Sequence, residues 1–233
     1  MDLKILYQDQ DVLALDKLAN VVVFPEIQIT SHTLIDDILE RFPEVKQVGE
    51  APRYGIVHRL DKDTSGILLV AKTTEALIFL QKQFKNREVE KKYIALATGA
   101  VKDDRGTIHT LIGRAKSDPR KQAAHSLGYN GKTGLREAIT DYKVLERFAS
   151  YTLLEVRIKT GRKHQIRCHL AYLHHPVAGD SVYGFKDSPV PEGLARQFLH
   201  ASYLKITLPI GQVKEFSSPL PEELQKILNN LGK

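Results

Sequence analysis

His58-Arg59-Leu60-Asp61-Lys62-Asp63-Thr64-Ser65-Gly66 runs without a break into Ile67-Leu68-Leu69-Val70-Ala71. Nine mostly charged or small polar residues thus feed a purely apolar run of β-forming character. A buried strand fixes whatever the turn before it displays, so charge concentrated there is raw material for an active site. The commoner meaning of such a segment is a hairpin turn with solvated charges. What decides between the two lies elsewhere in the chain.

The 233 residues are enough for a large core, and 42% hydrophobic with 27% charged residues describes a folded globule rather than a disordered chain. A formal net charge of +6 favours a polyanionic partner: RNA, DNA or an anionic membrane surface. Cys168 is the single cysteine, which rules out an intramolecular disulfide and a cysteine-rich zinc site. The first residues carry no long apolar region of a signal peptide, and no apolar run is long enough to span a bilayer. These features lead us to expect a cytoplasmic protein with no membrane partner.

Outward from the opening stretch, period and punctuation give the elements. Val12–Lys17 and Val21–Phe24 read as strands, with Pro25 ending the second. Ser31 to Phe42 reads as a helix with Leu34, Ile35, Ile38 and Leu39 on its apolar face, stopped by Pro43. Residues 44–53 read as loop. Thr73 is placed to cap a helix from Thr74 to Asn86, where Leu77, Leu80 and Phe84 recur at helical spacing. Residues 87–92 read as a turn and Lys92–Gly99 as a strand. Residues 102–136 read as a long basic excursion between strands, carrying Arg105, Arg114, Lys116, Arg120, Lys121, Lys132 and Arg136. A hairpin over 138–159, a helix from Lys163 to His174, a turn over 179–184, late strands over 198–208 and 213–216, and a helix after Pro221 complete the chain. Strands in adjacent runs favour an α+β fold with a mixed, largely antiparallel sheet over a doubly wound parallel one.

Several chemistries are disfavoured by spacing. His164 and His169 lie five apart and so do not share a helix face, and no HExxH occurs. No P-loop or GxGxxG is present, and Ser65 does not lie in GxSxG. No metal or cofactor is therefore expected. What remains is Asp61, two residues after Arg59, and a second basic cluster at Arg162, Lys163, His164 and Arg167. A carboxylate near an arginine stays ionised at neutral pH and can act as a nucleophile or a base. The residues alone give an acidic centre on a basic chain, not a reaction.

The residues from His58 to Lys72 resemble the HRLDxxTSG signature of the RluA-type pseudouridine synthases. Lys92-Tyr93-Ile94-Ala95-Leu96 is similar to the KxYxAL strand of that family, and Thr160–Leu170 to its TGRxHQIRxHL segment. His175–Asp180 resembles the HPIxGD turn and Leu199-His200-Ala201 the LHA strand start. The blocks fall in family order between about residues 10 and 217. The resemblance implies a pseudouridine synthase fold: a mixed sheet in two subdomains around a central cleft, with residues 1–233 forming a single catalytic domain. It implies isomerisation of uridine to pseudouridine in structured tRNA or rRNA, without a cofactor. Asp61 takes the place of the catalytic aspartate, Tyr93 of the tyrosine stacked on the uracil, and Arg167 of the arginine paired with the aspartate. Arg59 matches the residue that fills the gap left by the flipped base, and His58, Leu60, Thr64, Arg162 and His164 are carried over as substrate-binding positions. A monomer is expected, binding RNA without the S4 domain some relatives carry.

One segment departs from the family pattern. Where KPxG…VHP is frequent, this chain has Lys17-Leu18-Ala19-Asn20 and Val23-Phe24-Pro25, so Leu18 replaces the proline, Asn20 the glycine and Phe24 the histidine. Asparagine tolerates a left-handed turn, which would preserve the backbone path. Two rival readings stay open. The basic segment 102–136 suits an RNA-binding or RNA-folding protein whose catalysis is dispensable, and a nucleoside-processing hydrolase is a weaker third.

Overall fold

The computed structural model of the protein describes residues 3–25, 32–131 and 134–232. The chain divides into two compact units, one of residues 1–90 and 201–219, the other of residues 91–200 and 220–233.

In the first unit, β1 (Ile5–Gln8) pairs with β2 (Val12–Lys17), and β2 pairs antiparallel with β3 (Ser65–Ala71) in a register that sets Leu13 opposite Val70. Both β2 and β3 are buried along their whole length, which explains runs that are apolar without alternation. Helix α1 (Leu34–Arg41) is capped by Thr33 with Asp36 in a capping box. A 3-10 turn, Pro43–Gln47, follows in what reads from sequence as loop. Helix α2 (Thr74–Asn86) starts where Thr73 accepts from the Ala76 N–H at 3.2 Å, as the capping signal indicated. Its Leu77 and Leu80 pack on Ile67, Leu69 and Ala71.

In the second unit, the strands β4 (Glu90–Thr98), β5 (Arg105–Arg114), β6 (Gln122–His125), β7 (Arg136–Arg147) and β8 (Tyr151–Ile158) run in the order β4-β8-β7-β5-β6, each pairing antiparallel. Helix α3 (Gln165–Tyr172) places Cys168 in a small core with Ile112, Ala138 and Tyr183. Strand β9 (Leu199–Thr207) begins here and continues from Ala201 in the first unit, where β10 (Val213–Ser217) pairs with it. There the Gln83 side chain exchanges two hydrogen bonds with the Thr207 backbone, at 2.8 and 3.0 Å, and straps α2 to β9. Helix α4 (Glu222–Leu231) lays Leu224 and Ile227 on Leu96, Leu153 and Phe198. The expected α+β class with a largely antiparallel sheet is what forms.

Two readings need correction. Val21–Phe24 is not a strand. Its carbonyls are committed elsewhere: Val22 and Val23 accept from the Leu34 and Ile35 N–H groups, so the segment caps α1 instead of joining a sheet. Asn20 precedes it at φ +64°, so the left-handed turn survives without glycine. The excursion over 102–136 contains a hairpin of β5 and β6, and among the described residues 102–104, 115–121, 126–131 and 134–135 lie outside strands. Burial in β5 alternates through His109, Thr110, Leu111 and Ile112, a period that interspersed Gly, Thr and His obscure in the sequence. Lys132 and the start of the expected first helix at Ser31 lie outside the described residues.

Candidate active site

Asp61 lies on a turn in which the Thr64 N–H donates to the Asp61 carbonyl at 3.1 Å. Leu60 on one side and Thr64 and Ser65 on the other are buried, so the turn is anchored at both ends. The side chain that ends β2 then clamps it. Lys17, only 2% exposed at the end of β2, donates from Nζ to the carbonyls of Leu18 (2.7 Å), Val21 (3.0 Å) and Lys62 (3.0 Å). The Val21 N–H reaches the same Lys62 carbonyl at 3.2 Å. One buried ammonium thus ties the backbone next to Asp61 to β2.

The neighbours of Asp61 divide into architecture and surface. The Leu69 N–H donates to His58 Nε2 at 3.1 Å, which fixes His58 as a neutral ring protonated on Nδ1, and the ring stacks on Phe84. His58 therefore pins the entry to the turn against β3. Arg59 is exposed, its guanidinium 4.8 Å from the Phe24 ring centroid. Gly66 has φ +112°, and a Cβ there would collide with the Ala201 carbonyl, so the last residue of the motif is glycine because β9 passes against it.

In the second unit, Tyr93 is buried on β4 opposite Val156. Lys91 lies two residues earlier, on the same face by strand alternation, and burial lowers its amine to about 8. The segment over 160–170 is mostly an interior hydrogen-bond frame. Thr160 donates to Gln165 Oε1 at 2.8 Å, and the Gln165 amide reaches the Ile139 carbonyl and Thr140 Oγ1, both at 3.0 Å. Arg162 is held by its N–H on Gln165 Oε1 and by Nε on the Glu137 carbonyl at 2.8 Å. His164 stands in the left-handed region at φ +55° just before α3, with Nδ1 3.1 Å from the Tyr183 hydroxyl.

Arg167 is buried, and its Nε and Nη2 donate to Asp180 at 2.7 and 2.9 Å. Its guanidinium also lies over the Tyr183 ring, 5.1 Å from the centroid. Burial alone would raise the Asp180 carboxyl, but Arg167 and the N–H groups of Tyr183 and Val182 outweigh it and hold the group below the usual carboxylate range. The Tyr183 hydroxyl accepts from the Gln122 N–H at 2.6 Å, which joins the start of β6 to this cage. Asp180 and Tyr183 escaped sequence reasoning because each reads locally as turn. The usable signal was that Asp180 closes the HPIxGD block, with Tyr183 three residues beyond it.

Histidine 169 is fully buried between Thr110 Oγ1 and Thr140 Oγ1, 2.8 Å from each, and burial lowers its ring to about 4. A neutral imidazole donates to one hydroxyl and accepts from the other, whereas the protonated ring would donate to both. The native ring resists protonation while the unfolded one takes a proton near 6.5. Its contribution is complete above about pH 6.5 and is lost as pH falls toward about 4, amounting to roughly 3 kcal/mol. Urea midpoints at pH 7 and pH 4.5 are expected to differ less in His169→Gln than in the parent protein. An unchanged difference would remove His169 as the sensor. The Cys168 thiol is likewise buried and pushed up to about 12, so it is no nucleophile at neutral pH.

No group of three or more potential metal-ligating side chains occurs among the described residues. No helix among them is long and apolar enough to cross a membrane. Residues 11–172 match the family described as RNA pseudouridylate synthase. The chain is 40% identical over 234 residues to the RNA pseudouridine synthase YlyB of Bacillus subtilis, covering all of this chain and 74% of that protein. It is 43% identical over 233 residues to the ribosomal large subunit pseudouridine synthase D of Nitrosomonas europaea, covering 97% of this chain and 64% of that protein. Among solved structures, human RNA pseudouridylate synthase domain containing 1 superposes with a TM-score of 0.75 at 29% identity, covering 99% of this chain and 95% of that one. The family whose motifs surround Asp61, Tyr93 and Arg167 is thus matched independently by whole-chain likeness and by fold: the chain belongs to the RluA-type RNA pseudouridine synthases, an isomerase family.

Proposed function

We propose that this protein converts specific uridines of large-subunit ribosomal RNA to pseudouridine, with residues 1–233 acting as one catalytic domain and Asp61 as the catalytic carboxylate. The observation that carries the reading is the turn itself. An aspartate is presented on a backbone that Lys17, Thr64 and the buried Leu60 hold rigid. Preorganisation of this kind is what a group needs if it is to meet a reacting carbon without first rearranging. The ribosomal target is favoured over tRNA because relatives such as that of Nitrosomonas europaea are named for the large ribosomal subunit.

The reaction is an isomerisation. The C1′–N1 bond breaks, the uracil turns, C5 bonds to C1′, the C5 proton leaves and N1 takes up a proton, so no redox partner or cofactor is required. Asp61 serves either as the nucleophile on C1′ or as the base that takes a sugar proton. Tyr93 stacks on the uracil, since a ring face tolerates a base in either orientation. Arg167 supports the aspartate. Asp180 engages its Nε and Nη2 and holds the side chain in place. Arg59 fills the space vacated by the flipped nucleotide, which offsets part of the few kcal/mol of unstacking. His58, Leu60, Thr64, Arg162 and His164 shape the surrounding contacts, the first three and Arg162 through the framework they hold. The protein acts as a cytoplasmic monomer.

The test is a pseudouridine map of ribosomal and transfer RNA, by carbodiimide treatment and primer extension, with and without the protein. A site in large-subunit RNA that disappears on deletion and returns on adding purified protein supports the reading. Sites confined to tRNA would move the target, and no change in any RNA would defeat it. Full cellular rescue by Asp61→Ala would favour the RNA-folding role suggested by the basic β5–β6 segment.

A further inference from the structure

Tyr183 is a buried junction of the second unit. Its ring centroid lies 5.1 Å from the Arg167 guanidinium carbon and 5.9 Å from the Lys121 ammonium. Its backbone N–H donates at 2.9 Å to Asp180 Oδ1, the oxygen that also accepts from Arg167 Nη2. Its hydroxyl accepts from the Gln122 N–H at 2.6 Å and stands 3.1 Å from His164 Nδ1.

The Gln122 contact reaches beyond the arginine cage. Gln122 is the first residue of β6, which stands at the edge of the order β4-β8-β7-β5-β6. The outward N–H of an edge strand meets no further strand. Here Tyr183 takes that N–H, and Cys168 Sγ lies 3.5 Å from the carbonyl of the same residue, so side chains finish the edge. The residue before it, Lys121, closes the loop over 115–121, its carbonyl accepting from the Ala115 N–H at 3.0 Å. That loop exposes Lys116 and Arg120, the latter held by Asp118 at 2.8 Å. A basic loop is thus moored at its neck to the side chain that packs on Arg167. Ring and hydroxyl have separable tasks. The ring face attracts the guanidinium, and the hydroxyl holds the loop.

We propose that Tyr183 is a positioning residue for the reaction: its hydroxyl moors the basic loop over 115–121 and its ring orients Arg167, so that RNA gripped by the loop is held in register with the arginine. The proposal rests on the RNA-modifying reading above and deepens it by tying a phosphate-binding segment to the reacting centre. Tyr183 does this without touching the reacting atoms. A fixed neck raises affinity because the loop loses less freedom when RNA binds.

The experiment measures binding of a large-subunit ribosomal RNA transcript and the single-turnover rate at saturating RNA. Tyr183→Phe keeps the ring on Arg167 and removes the hydroxyl. It is expected to weaken binding about three- to tenfold, while the saturated rate falls less than about threefold. Tyr183→Leu removes the ring as well, and the saturated rate should fall about ten- to a hundredfold. Lys116→Ala supplies the second arm. It should weaken binding about threefold in the parent protein and less than about 1.5-fold in Tyr183→Phe, because a lysine on an unmoored loop contributes less. A tyrosine that only supports the fold would leave the two changes additive. Parental binding in Tyr183→Phe, additive losses in the double variant, or an inert Lys116 would each overturn the proposal. Tyr183→Phe decides the matter even where Tyr183→Leu fails to fold. No RNA modification by the parent protein would overturn the function and the proposal together, whereas modification with an inert Tyr183 hydroxyl would overturn the proposal alone.

Discussion

Asp61→Asn is expected to lower the single-turnover rate of pseudouridine formation by more than about a thousandfold, as loss of a directly reacting group typically does. RNA affinity should stay within about threefold, because the amide keeps the size of the carboxylate and removes a single negative charge beside a polyanion. The fold should tolerate the change. The turn is held by its backbone, through the Asp61 and Lys62 carbonyls, and these are untouched in the amide. Melting within about 2 °C of the parent, with activity gone, is the expected pair of readings. Retained activity would remove Asp61 from the chemistry, and a large fall in melting temperature would make the carboxylate structural instead.

Asp180→Ala is expected to be the most destabilising single change near the site. It leaves the Arg167 guanidinium buried without the carboxylate that engages two of its nitrogens. Breaking a buried pair in this way typically costs about 3–5 kcal/mol. For a chain of this length that is a fall in melting temperature of about 6–20 °C. Asp180→Asn keeps the shape and an acceptor, and should lie between the two. Changing both partners to leucine should cost less than the two single changes together, because neither charge is then stranded. The low carboxyl pKa adds a pH signature. Asp180 supports the fold fully above the ordinary carboxylate range, and the support is lost as pH falls through that range and below it. Additive single and double variants in urea melts would show that the pair acts as two independent contacts.

How much of this was legible follows from how local each signal is. Thr73 and the Leu77, Leu80, Phe84 spacing announced α2 because a cap and a face are local properties. Val21–Phe24 misled because β-branched composition does not say where carbonyls go, and here those of Val22 and Val23 accept from helix N–H groups twelve residues on. The hairpin of β5 and β6 was hidden because β5 turns Arg105, Thr107 and His109 outward and buries Thr110 among Ile108 and Ile112, while β6 is short and only half-buried. At the site, the motif around Asp61 was plain, but the residues that hold it in shape were not. Lys17 reads only as the last residue of a strand and the first of the KPxG-like segment, and Asp180 as a turn aspartate thirteen residues from Arg167. Nothing in composition separates a buried lysine from an exposed one. The separation is made by three carbonyls that converge only after folding.

That Lys17 clamp has an evolutionary consequence. The two ends it joins are 45 residues apart, so everything between β2 and the Asp61 turn is hung from fixed posts. Residues of that span that do not themselves anchor the turn, as His58, Leu60 and Val21 do, can vary while the clamp keeps its two ends together. The three departures from the family pattern, at Leu18, Asn20 and Phe24, all fall inside it. These three changes therefore alter the span between the posts and leave in place the lysine that joins its ends.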